Sequence, residues 1–153
     1  MPQGKQLESI SIVRVKLVKE KGAYYGAKSI RNPGELASVA RRFLDNTDRE
    51  VFLTINFSPA NTINSIHVVT IGSLDRTVVH PREVFKAAIL SNSSSIALVH
   101  NHPSGSLNPS PEDILITKKL VQCGEILDIK VMDHIIIADD QHLSFAQQKI
   151  GGL

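Results

Sequence analysis

The spacing of hydrophobic and polar positions changes several times along the chain, and each change predicts an element. Residues 8–18, "ESISIVRVKLV", alternate polar and apolar, which reads as a strand. In "NPGELASVARRFL", residues 32–44, Leu36, Val39, Ala40 and Phe43 recur at helical spacing and share one face. "EVFLTINFS" and "NSIHVVTIGS" return to strand-like runs rich in β-branched and aromatic residues, with "PANT" as a turn between them. "HPREVFKAAILSN" reads as a second helix and "SSIALVH" as a short buried strand. "SPEDILITKKLVQCG" is a third helix, with Gly124 as its expected stop. "LDIKVMDHIIIAD" predicts one or two closing strands. Strands and helices are interleaved, so one α/β or α+β domain is expected.

The three predicted helices start with the same grammar: Asn32-Pro33-Gly34-Glu35, His80-Pro81-Arg82-Glu83 and Ser110-Pro111-Glu112-Asp113. Proline fits the first helical position, where its missing N–H costs nothing. An acid at the third position sits near the positive end of the helix. For Glu35 and Glu83 this accounts for the residue without further chemistry.

With 153 residues, a chain can bury roughly 70% of its unfolded surface and fold without staples. Lys plus Arg number 17 against 15 for Asp plus Glu, and no dense basic run appears, so composition does not argue for nucleic acid. Cys123 is the one cysteine, which excludes an internal disulfide and fits a reducing compartment. The polar start "MPQGKQLES" lacks the apolar core of a signal peptide, and no apolar run approaches the ~18 residues of a bilayer span. A cytoplasmic protein is expected. An exposed sheet edge can pair two copies, yet no residue commits the chain to an oligomer.

Candidate chemistry gathers in "LVHNHPSGSLNPSPED", residues 98–113. His67, His80, His134 and His142 each stand apart from that cluster and read singly as core or surface histidines. His100 and His102 differ, because residues two apart on an extended segment face the same way. Pro103 and Gly105 then turn the chain. On a helical wheel, Asp113 falls within the apolar arc of Ile114, Ile116, Leu120, Val121 and Cys123, with Leu115 the outlier. A dipole-favoured acid would gain only about 0.3–1 kcal/mol and would prefer the wet side. A carboxylate aimed at the core needs a partner or a metal, so the ligand reading of Asp113 outweighs the capping reading. Two imidazoles and one carboxylate form a catalytic zinc set with a fourth position open to water. A cysteine-rich structural zinc site is excluded by the cysteine count. The rival is ordinary turn chemistry that includes two histidines.

His100-x-His102, ten further residues and Asp113, with Ser110 three before it, resembles the JAMM motif of the JAB/MPN metalloprotease family. "HNHPSG" with "PSPED", "HPREVFKAAI", and "DHIIIAD" with Ser144 are similar to its RadC-like branch, historically called DNA repair proteins. The resemblance covers about Asn32 to the C-terminus. It implies a JAB/MPN domain over residues 31–153, behind an N-terminal strand region at 1–30. It further implies a mixed, curved sheet flanked by helices, of cytidine-deaminase-like architecture. His100, His102 and Asp113 would bind zinc, Ser110 would hydrogen-bond the oxyanion or the metal-bound water, and Glu50 would be the general acid/base. Glu83 is the runner-up for that last role.

Ser104 and Gly105 would shape the loop over the metal. Ser104, Asp133 and His134 are candidates for outer contacts, since zinc histidines need a partner for their other nitrogen. A strand-start polar pair explains Asp133-His134 equally well, and Cys123 reads as core. The implied activity is zinc-dependent hydrolysis of peptide or isopeptide bonds. A binding module that keeps the fold as a scaffold is the alternative, and a DNA-associated role ranks third. Long RadC-like proteins carry an N-terminal helix-hairpin-helix region thought to contact DNA. No room for one is expected before the first predicted strand, so nucleic acid is not an expected partner. Nor do the letters "HNH" signal an HNH nuclease, which draws those residues from a dispersed ββα unit.

Overall fold

The computed structural model describes residues 9–20, 29–44, 47–72 and 78–153. Among the described residues nine elements follow in order: α1 (Pro33–Leu44), β1 (Val51–Phe57), β2 (Ile63–Ile71), α2 (Pro81–Leu90), β3 (Ser95–Asn101), α3 (Pro111–Leu127), β4 (Lys130–Ala138), β5 (Gln141–Ser144) and α4 (Phe145–Gln148). The five strands form one sheet in the order β2-β1-β3-β4-β5. β1 runs antiparallel to both β2 and β3, β3 and β4 are parallel through the α3 crossover, and β5 returns antiparallel. The protein is a mixed α/β domain with helices on both faces of its sheet.

Period-two alternation in the central strands divides the core in two. Val51, Leu53, Ile55, Ala97, Val99, Ile135 and Ile137 pack on one face against Leu36, Ala37, Ala40 and Leu44 of α1. Phe52, Ile96 and Leu98 pack on the other against Val84, Phe85 and Ala88 of α2 and Leu120 of α3. β1 and β3 are buried along their whole length, as expected of central strands covered on both faces. Asn32 caps α1 by accepting from Glu35 N at 2.9 Å, and Ser110 caps α3. His80 makes no side-chain cap at α2, so proline and position alone start that helix.

Three elements depart from the sequence expectation. The strand expected over 8–18 is absent from its described part: residues 9–20 pair with nothing in the sheet, and Ile10, Ile12 and Val15 lie exposed. Alternation supplies a face, but a strand also needs a neighbour's backbone. Of the rest of the 1–30 region, residues 1–8 and 21–28 lie outside the described residues, and Ser29 forms an isolated bridge to Thr62. Gly124 does not end α3, which runs to Leu127 with Asp128 in the left-handed conformation. Gly124 serves a close crossing instead: a Cβ there would lie 2.4 Å from the Ile129 carbonyl oxygen, and the Gly124 carbonyl accepts from Ile129 N at 2.9 Å. β5 and α4 follow the last predicted strand and complete the sheet edge.

Candidate metal centre

The C-terminal end of β3 meets the N-terminus of α3, and the candidate side chains meet there. Alternation along β3 aims His100 and His102 at the α3 side of the sheet. The capping turn at Ser110 sets Asp113 in the first turn of α3, opposite them. His100 Nε2 and His102 Nε2 lie 2.9 Å apart. Asp113 Oδ1 is 3.3 Å from His100 Nε2, and Asp113 Oδ2 is 3.4 Å from His102 Nε2. A tetrahedral zinc bound at its usual distances needs donor atoms about 3.3 Å apart. The cluster can therefore hold a metal ion.

The surrounding hydrogen bonds determine where the imidazole protons sit. Thr117 Oγ1 lies 2.6 Å from the Asp113 carbonyl oxygen, a pure acceptor, so the threonine donates there. Its lone pair must then accept from His134 Nδ1–H, also at 2.6 Å. Burial pushes the pKa of His134 well below its ordinary value and keeps the ring neutral. His134 Nε2 is therefore bare and accepts from His100 Nδ1–H at 2.7 Å. This leaves a lone pair on His100 Nε2. His102 Nδ1–H donates to the Ser106 carbonyl at 2.7 Å, which leaves another on His102 Nε2 whenever that ring is neutral. Two lone pairs 2.9 Å apart repel each other unless a cation lies between them and the carboxylate. Phe52 stacks on His100 at 6.0 Å and gives the site a dry apolar wall.

Electrostatics agree with that arrangement. Hydrogen bonding to Asp113 raises the pKa of His102, burial opposes it, and the Ser106 carbonyl and the nearby Glu50 charge reinforce the rise. Burial works against the Asp113 carboxylate, yet the facing His100 and His102 hold it well below the usual carboxylate range. Both shifts follow from the pairing of the Asp113 carboxylate with the imidazoles that face it.

Asp113 also completes the helix cap. Its Oδ2 accepts from Ser110 N at 2.8 Å, while Ser110 Oγ accepts from Asp113 N at 3.1 Å. Capping and ligand geometry, set against each other in the sequence, coexist because a carboxylate has four lone-pair sites. Ser110 keeps its own hydroxyl hydrogen for another acceptor.

The two glutamate candidates separate. β1 and β3 pair with Phe52 opposite His100. Glu50 lies just before β1, two residues from Phe52, and its charge is near enough to raise the pKa of His102. Glu83 is half-buried on α2, where Lys86 donates to it at 2.8 Å and lowers its pKa. Its ion pairs are with Arg82 and Lys86 of the same helix.

The outer contacts also divide. His134 holds a cluster histidine, whereas Asp133 points the other way, as neighbours on a strand must. Asp133 accepts from Ser144 Oγ at 2.6 Å and from Ala146 N at 3.0 Å, and so fixes the start of α4. Ser104 is exposed and accepts from Ser106 N at 3.4 Å, one step removed from His102. Gly105 has φ near +80°, the turn conformation its position requires. Thr117 and the Ser106 carbonyl were not legible as partners. The one signal for Thr117 was a buried hydroxyl one turn after Asp113, on the inward face of α3.

A mixed α/β domain with a His-His-Asp cluster between a strand end and a helix N-terminus is the class these features define. The RadC-like JAB domain model matches residues 30–150, and the chain belongs to that family. It is 44% identical over 120 residues to a UPF0758 protein of Caldanaerobacter subterraneus subsp. tengcongensis, covering 78% of this chain and 52% of that one. It is 40% identical over 150 residues to a UPF0758 protein of Desulforamulus reducens, covering 94% and 66%. A UPF0758 protein of Methanosarcina mazei is 41% identical over 121 residues, covering 79% and 53%. The chain thus spans about half to two thirds of the length of these relatives. Among the described residues no helix is long and apolar enough to cross a membrane.

Proposed function

We propose that this domain is a zinc-dependent hydrolase of amide bonds, of the peptide or isopeptide kind. The observation that carries the reading is the convergence of two Nε2 atoms and one carboxylate within 3.4 Å of each other. When bound, zinc supplies a Lewis acid and brings the pKa of a water down to about 7. The protein's own groups do the rest. His100 and His102 present lone pairs held by His134 and Ser106, and Asp113 contributes the negative charge. Glu50, whose charge acts on His102, takes a proton from water and returns it to the leaving nitrogen. Ser110 donates its spare hydroxyl hydrogen to the carbonyl oxygen as negative charge develops there.

Metal analysis of protein purified without chelator tests the first half of the proposal. About one zinc per chain is expected in the wild type and none in His102→Ala. Glu50→Gln should keep its zinc and lose turnover on a panel of peptide and isopeptide amides. Undiminished turnover in that variant would remove Glu50 from the mechanism. A second reading, a binding module without chemistry, draws on the exposed Ile10, Ile12, Val13, Val15 and Val18. A stable partner protein retained by His102→Ala, with no zinc taken up even after reloading, would favour it.

A further inference from the structure

We infer that Asn101 is a positioning residue for Glu50: its side-chain amide, set between the two cluster histidines, grips the backbone on both sides of Glu50. The inference rests on the proton-transfer role proposed for Glu50. It starts from strand alternation. His100 and His102 face the metal centre, so Asn101 between them faces elsewhere. The residue is 7% exposed, and its amide makes three hydrogen bonds. Asn101 Oδ1 accepts from Val51 N at 2.7 Å. Asn101 Nδ2 donates to the Arg49 carbonyl at 2.9 Å and to Thr47 Oγ1 at 3.1 Å.

Arg49 and Val51 are the residues on either side of Glu50. The main-chain ladder between β1 and β3 ends at the pair Phe52 and His100. Beyond it the Asn101 amide does what a further ladder step would do, for both neighbours at once. On the far side, the Glu50 carbonyl accepts from Gly72 N at 2.8 Å. Glu50 sits just before β1, where a strand end would otherwise fray. These contacts hold its backbone from both sides and leave its side chain free to reach the centre. A single residue of β3 therefore links the ligand histidines to the proton-transfer group. Such placement matters because proton transfer requires hydrogen-bond reach.

The test uses the full chain labelled at glutamate 13Cδ, with the Glu50 signal assigned by its loss in Glu50→Gln. Zinc is titrated into wild type, Asn101→Ala and Asn101→Thr. The threonine variant keeps a strand-forming side chain and a hydroxyl, in case alanine fails to fold. All three should bind zinc with the same stoichiometry. The Glu50 signal should move on zinc binding in the wild type, and the movement should be at least halved in both variants. A purely structural Asn101 would lower the melting temperature and leave the Glu50 response whole, which overturns the inference. Loss of zinc from both variants would overturn it too, because Asn101 would then be holding the histidines. A wild-type Glu50 that ignores zinc would remove the proposed proton-transfer role, and this inference with it.

Discussion

Thr117→Val removes one hydroxyl from the interior and keeps the shape of the side chain. The hydroxyl makes two bonds, to the Asp113 carbonyl and to His134 Nδ1, each 2.6 Å. Without it, His134 Nδ1–H is left unpaired in a fully buried ring, a penalty of about 1–3 kcal/mol. The ring escapes by carrying its proton on Nε2, which then donates to His100 Nδ1. His100 must in turn carry its proton on Nε2, the atom that faces the cluster. Zinc then has to displace a proton that is absent in the wild type. Removing an outer partner of a ligand histidine costs about 10–100-fold in metal affinity, or roughly 1.4–2.7 kcal/mol. The assay is competition against a chromogenic chelator at neutral pH, paired with 15N spectra of the imidazoles in metal-free protein. The expected result is weaker zinc binding and a proton on His100 Nε2. Unchanged affinity with His100 still protonated at Nδ1 would refute the relay.

Gly124→Ala forces a Cβ against the Ile129 carbonyl, and overpacking of this kind costs about 1–3 kcal/mol. Thermal melts should show it as a fall of roughly 2–4 °C per kcal/mol. Ser110→Ala removes the cap of α3 and should cost about 1 kcal/mol in urea denaturation. Ser110→Thr should restore most of it, and a capless helix of unchanged stability would contradict the cap. Acid dependence follows from His134. Its folded pKa lies well below 6.5, so above that value the ring is neutral in both states and adds no pH dependence. As pH falls below 6.5 the unfolded chain takes up a proton that the folded ring refuses, and stability falls by up to about 1.4 kcal/mol per unit. His102, with its raised pKa, works in the opposite direction in metal-free protein. Denaturation at neutral and acid pH should therefore be compared between wild type and His134→Gln, where the variant's loss on acidification is smaller.

The helices were the most legible part of the fold. The Leu36, Val39 and Ala40 face of α1 is the face that packs on the sheet, because a 3.6-residue period has one way to bury an apolar stripe. β1 and β3 were legible as apolar runs rich in β-branched residues. The stretch at 9–18 shows the limit of the same method: its alternation is cleaner than that of β1, yet nothing pairs with it among the described residues. Gly124 misled for a related reason. Glycine ends helices through its backbone freedom, but here its missing side chain matters more, since Ile129 crosses directly over it.

Within the candidate site, the near half was written in local rules. His100 and His102 share a face because a strand has period two, and the Ser-Pro-Glu-Asp start of α3 brings Asp113 to the first inward turn because a capping box defines that turn. Those features needed no partner outside residues 98–113. The far half depended on the fold. Glu50 comes near His102 because the β1–β3 ladder has one register up to Phe52 and His100, and a one-residue slip would turn every side chain of the strand to the other face. His134 reaches His100 because β3 and β4 lie side by side in parallel. Asn101 grips residues 49 and 51 because the ladder stops one step before it. Glu83, on α2, was left among solvent and lysine. Register and adjacency are decided by burial summed over the entire sheet, and no window of sequence contains that sum.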